Sequence, residues 1–152
     1  AEIGRIGGAE EHVVVSEREA AMSDPDECVR FVEDAGFDFL AVAIGNAHGF
    51  YKGEPKLDFD RLEAIRDKVS VPLVLHGASG IPDHQITIAV ERGICKINID
   101  TELRNAFIRT VQDFTQKNPD QIDPRKVLGP GIDAMQAVVE HKMEIFKSAG
   151  RA

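Results

Sequence analysis

Three short apolar runs constrain this chain more than anything else in it. They are Phe37–Gly45, Val71–Gly77 and Gly93–Ile99. Short apolar runs bounded by glycine and proline read as strands buried on both faces, the habit of a parallel sheet. Helical patterns fill the gaps. Asp24 can cap a helix that starts at Pro25, runs to Ala35 and stops at Gly36. Apolar spacing predicts further helices over 58–69, 82–92, 101–118 and 131–146. The polar stretch Lys117–Arg125 reads as the one clear loop, between the last two helices. With a strand end at Glu2-Ile3-Gly4, the chain is a series of βαβ units around a parallel sheet. Both an open doubly wound sheet and a (β/α)₈ barrel fit that alternation. Four strands are half of what a barrel needs.

Composition narrows the function. The 152 residues suit one domain. The net charge of −8 argues against binding a nucleic-acid backbone. No apolar run approaches the roughly 20 residues of a membrane-spanning helix. Two distant cysteines, Cys28 and Cys95, form no metal-finger spacing, and the opening residues carry no secretory pattern. A cytoplasmic protein with free thiols is the expectation. The chain starts at Ala1, without a methionine, at what reads as a strand end. A fragment or a processed chain is therefore expected.

The strand ends carry the chemistry. They offer Glu2, then Gly45-Asn46-Ala47-His48-Gly49, then His76-Gly77-Ala78-Ser79-Gly80, then Asn98-Ile99-Asp100-Thr101. Polar groups at the C-terminal ends of parallel strands build active sites on one face. His48 and His76 each end a strand and precede glycine, so two imidazoles can converge. Neutral imidazole is the commonest metal ligand, and a catalytic zinc takes about three protein ligands. Glu2 is a candidate third, as is a residue outside this chain. The Gly77–Gly80 turn and the start of the helix at Thr101 can each seat a phosphate through backbone N–H groups. Plain turn and capping chemistry, with Asp100 as N-cap, explains the same residues taken singly. Gly7–His12 reads as a mobile acidic loop able to carry a general base, or as a solvated surface loop. Tyr51, Lys52 and Lys56 are candidates to support the phosphate, and Arg125 to reach one across a subunit interface.

Together these motifs resemble the class II fructose-bisphosphate aldolases. The resemblance runs the length of the chain and in order, but it covers only the C-terminal half of that family's members. It implies the last four strands of a TIM barrel. It also implies that His48 and His76 are two of three ligands to a catalytic zinc (Zn2+). Glu2 would hold a second or vacated divalent-metal position. Gly49, Gly77, Ala78 and Ser79 would bind the phosphate of dihydroxyacetone phosphate, with a monovalent cation (Na+ or K+) beside it. Asn98, Ile99, Asp100 and Thr101 would bind the same ketose. Glu10 would move a proton, and Arg125 would grip the far phosphate from a neighbouring subunit of a homodimer or homotetramer. The implied reaction is glycolytic and gluconeogenic cleavage of fructose 1,6-bisphosphate. Tagatose-bisphosphate aldolases share nearly all these motifs. The third zinc-binding histidine and the acid that serves the C4 oxygen belong to the family's N-terminal half. The expectation is that this chain works only with that half, and that alone it is a catalytically incomplete half-barrel.

Overall fold

Asp24 caps the first helix as its sequence predicts. Its carboxylate accepts from the N–H groups of Asp26 and Glu27 at 2.9 and 3.0 Å. Pro25 opens α1 (Pro25–Ala35), and Gly36 closes it in the left-handed conformation, its N–H donating to the Val32 carbonyl. Cys28 and Val32 turn inward from this helix. The computed structural model describes residues 1–10, 13–15, 21–49, 51 and 53–151, without the side chains of 8–10 and 13–15.

The chain forms two units, Ala1–Ile99 and Asp100–Ala152. The first is an α/β unit of parallel strands alternating with helices. Its main sheet has the order β1 (Glu2–Ile3), β4 (Leu40–Val42), β6 (Leu73–Leu75), β7 (Ile94–Ile97), every pairing parallel. The helices α2 (Phe59–Arg66) and α3 (Asp83–Glu91) follow β4 and β6 in the chain. Leu40, Val42, Leu73 and Leu75 are no more than 1 % exposed. Burial of each such side chain is worth about 1.5–3 kcal/mol. Leu62, Ile65 and Ile86 on α2 and α3 complete the core, each with no exposed surface. On β7 only Ile94 is buried, while Cys95 and Lys96 are exposed. Among the described residues, β7 is paired on one side only.

A second, smaller sheet was not legible in the pattern. It has the order β3 (Val13–Val15), β2 (Gly7–Glu10), β5 (Ala47–His48). Gly7–Glu10, expected as a loop, is thus a strand whose backbone pairs with β3 and, at Gly8, opposite His48. Glu11 and His12, from the same expected loop, lie outside the described residues.

The second unit is a helical hairpin of α4 (Thr101–Lys117) and α5 (Pro124–Ile145). Here α5 corrects the sequence reading, which started it at Gly131 and placed a loop over 117–125. The Gly129-Pro130-Gly131 triplet looks like a break, yet α5 runs through it from a cap at Asp123. Gly131 explains why glycine is used there. A Cβ on it would lie 2.8 Å from both Phe107 and Val111 of α4, so a small residue lets the helices close up. Lys142 of α5 is 6 % exposed and pairs with Glu102 of α4 at 3.1 Å. Among the described residues no helix is long and apolar enough to cross a membrane.

Candidate metal centre

Glu2, His48 and His76 come together in the first unit. One ligand atom from each lies within 4.8 Å of the others. His76 Nδ1 and Glu2 Oε2 are 2.6 Å apart, and the two imidazole rings are 6.1 Å apart between centroids, tilted by 56°. The strand register explains the meeting. Glu2 lies opposite Ala41, and Ala41 lies opposite Val74, two residues before His76. Side chains two apart along a strand share a face. By this alternation Glu2, Ala41 and His76 fall on one face, with Ala41 on the strand between the other two.

The loops carrying the two histidines are tied to each other. Asn46, 4 % exposed, accepts from Ile44 N–H at 2.8 Å and donates to the His76 carbonyl at 2.9 Å. The Tyr51 hydroxyl accepts from Ala47 N–H and donates to the Gly77 carbonyl, both at 2.8 Å. Burial pushes that phenol above its ordinary pKa, which keeps its proton on and its donation intact. Gly77 makes the close approach possible. It has φ +59°, and a Cβ there would collide with the Ala47 carbonyl. The Ser23 hydroxyl does similar work beneath Glu2, donating to the Ile3 carbonyl at 2.7 Å and accepting from Ala43 N–H at 2.8 Å.

Two imidazoles and a carboxylate are a fitting donor set for zinc, which takes nitrogen and oxygen ligands in a four-coordinate shell. In such a shell, bonds of about 2.0–2.1 Å put neighbouring ligand atoms roughly 3.3 Å apart. The ligand atoms here all lie within 4.8 Å of one another, with the Glu2–His76 pair in direct contact at 2.6 Å, so an ion would enter by parting that pair and drawing in His48. Three ligands leave a coordination position for another donor or a substrate oxygen.

The sequence model of the family described as "Fructose-bisphosphate aldolase class-II" matches residues 1–151. The chain belongs to that family. Among solved structures, it is similar to the YdjI aldolase from Escherichia coli K12, with 44 % identity and a TM-score of 0.75. That match covers 87 % of this chain and 48 % of the other. A putative fructose-1,6-biphosphate aldolase from Coccidioides immitis superposes with TM-score 0.83 and 32 % identity, covering 99 % of this chain and 52 % of that one. Fructose-bisphosphate aldolase from Campylobacter jejuni follows at 0.70 and 26 %, covering 97 % and 51 %. The chain thus spans about half the length of these relatives.

The other residues that the sequence singled out are divided between the two units. Gly49 directly follows His48 and takes a positive φ of 83°. Gly77, Ala78 and Ser79 follow His76, with Ala78 and Ser79 both buried. Asn98 is exposed just beyond β7, and its amide oxygen accepts from the Lys96 ammonium. Lys96 itself lies within β7. The register puts it opposite Val74, on the face that carries Glu2 and His76. Ile99 ends the first unit, while Asp100, Thr101 and Arg125 belong to the second.

Asp100 corrects a detail. It occupies the N-cap position of α4 but makes no capping hydrogen bond, and its carboxylate accepts from Arg104 Nε at 2.8 Å. Arg125 is on the first turn of α5, 89 % exposed and paired with Asp123 at 2.9 Å. That pairing holds the Asp123 carboxyl below its ordinary pKa. Tyr51, expected to support a phosphate, spends its hydroxyl on the two backbone groups named above. Glu10 is placed by its backbone alone, opposite Val13, and Lys52 lies outside the described residues.

Proposed function

We propose that this chain supplies the metal-binding half of a zinc-dependent aldolase. The enzyme would cleave fructose 1,6-bisphosphate reversibly to dihydroxyacetone phosphate and glyceraldehyde 3-phosphate. The Glu2–His48–His76 cluster carries the reading, because it gathers metal donors from three separated segments in a member of an aldolase family. Zinc held there would supply Lewis-acid stabilisation for the negative charge that retro-aldol cleavage develops on the ketose oxygens. A second divalent position at Glu2, and a sodium or potassium ion beside the phosphate, belong to the same proposal.

The chain's own residues would do the rest. His48 and His76 hold the metal from two segments tied to each other by the Asn46 and Tyr51 hydrogen bonds. The backbone N–H groups around Gly49, Gly77, Ala78 and Ser79 seat one phosphate, with Lys52 as a cation nearby. Asn98, Ile99, Asp100 and Thr101 position the ketose so that the bond to be cleaved is held fixed. Glu10 exchanges the proton at the carbon that becomes nucleophilic. Arg125 binds the far phosphate from a neighbouring subunit, in a homodimer or homotetramer. A third imidazole and the acid for the C4 oxygen come from the remaining half of the enzyme. The role is cytoplasmic, in sugar breakdown and synthesis.

Cleavage of fructose 1,6-bisphosphate by the chain joined with its other half tests this. Activity that disappears with EDTA and returns with zinc is the expected result, and activity that survives EDTA contradicts it. Tagatose 1,6-bisphosphate, which differs only at C4, serves as the competing substrate. Faster cleavage of tagatose bisphosphate would move the assignment to that branch.

A further inference from the structure

His48 is bracketed by two side chains that both grip the segment carrying His76. Asn46 precedes it and holds the His76 carbonyl. Tyr51 follows it and holds the Gly77 carbonyl. The Tyr51 contacts are placed with a particular economy. Its oxygen touches one backbone group adjacent to each histidine, the N–H of Ala47 before His48 and the carbonyl of Gly77 after His76. The two residues are separated from Tyr51 by 4 and 26 positions. One hydroxyl therefore spans the two ligand-bearing loops, and the phenol ring is partly buried behind it.

We propose that Tyr51 is a positioning residue that sets the separation of His48 and His76 for the metal. The inference rests on the metal-centre reading and deepens it. The mechanism is geometric. A metal pays no cost to gather ligands already held at its spacing, whereas untethered loops must be ordered on binding. Removing the hydroxyl leaves the Ala47 N–H without its acceptor and the Gly77 carbonyl without its donor. The loops then separate or re-pair, and the metal must draw them back together. Tyr51 itself is not a ligand in this scheme.

Cobalt(II), which absorbs visible light when bound by nitrogen and oxygen donors, is the probe. The full chain and its Tyr51→Phe variant are titrated with cobalt(II) chloride, following the visible bands. The phenylalanine keeps the ring and deletes only the oxygen. Expected is a loss of affinity of about tenfold or more in the variant, the range typical for outer-shell partners of metal ligands, with altered band positions. Far-ultraviolet circular dichroism of the metal-free proteins should coincide. Equal affinity and identical bands would overturn the proposal while leaving the metal centre standing. No cobalt binding by the parent chain would overturn both.

A second readout uses the parent chain alone, so the proposal remains testable if the variant does not fold. Tyr51 is the only tyrosine and the chain has no tryptophan, so the near-ultraviolet band that lies to longer wavelength than phenylalanine absorption belongs to this one residue. Cobalt should perturb that band with the same saturation point as the visible bands. A tyrosine spectrum that ignores saturating cobalt would overturn the proposal.

Discussion

Glu2 Oε2 meets His76 Nδ1 at 2.6 Å, although 74 positions separate the two residues in the chain. The contact fixes which ring nitrogen faces the carboxylate and sets an acidic side chain beside two imidazoles. A carboxylate in that place either binds the metal or orients the histidine that does. In both cases Glu2→Gln keeps the shape and removes the charge. Zinc affinity should fall by about 10–100-fold, read by competition with a chromophoric chelator. Unchanged affinity would remove Glu2 from the site.

Gly77 joins the two histidine loops by close backbone approach. Gly77→Ala adds a methyl group where φ is +59° and the Ala47 carbonyl is in the way. Strain of this kind costs on the order of 1–3 kcal/mol, so the urea midpoint should drop correspondingly. Gly53→Ala is the matched control, because a Cβ there meets nothing within 4 Å. Equal midpoints for the two variants would show that the loops are not held as tightly as described.

The helices were the most legible part of the sequence, for a local reason. Asp24, Pro25 and Gly36 act within one turn of the element they bound, so the chemistry of α1 can be read from adjacent letters. The same local rule misled at α5. Gly129-Pro130-Gly131 looks like a break, but Gly131 is small because Phe107 and Val111 press against it. That reason lies twenty or more positions away. His48 and His76 were legible as donors because each stands at a strand end before glycine. Tyr51 and Asn46 were not legible as ties, since their partners include carbonyls 26 and 30 positions distant. The two-residue strand Ala47–His48 carries no periodicity at all and exists only through its pairing with β2.

Cys28 gives a prediction about pH. Its side chain is fully buried on α1, and burial, with Asp24 and Glu27 nearby, pushes the thiol up to about 11. The folded state therefore holds that proton more tightly than the unfolded state does. The stability is intact below the unfolded thiol's pKa near 9 and is lost as the pH rises toward about 11. Two pH units at 1.36 kcal/mol each make the loss roughly 2–3 kcal/mol. Urea unfolding across that range should show this slope, and Cys28→Ala should flatten it. At neutral pH, only the exposed Cys95 should react with a thiol reagent until the chain unfolds. Two fast-reacting thiols in the native protein would contradict this account of the α1 core.

Zinc stoichiometry tests the metal centre most directly. The chain joined with its other half is dialysed to equilibrium against zinc and its metal content determined, beside a His48→Ala/His76→Ala double variant of unchanged circular dichroism. About one tightly held zinc per chain in the parent, and none in the double variant, is the expected result. A parent chain that holds no zinc, or a double variant that holds as much as the parent, would contradict the assignment of Glu2, His48 and His76 as a metal centre.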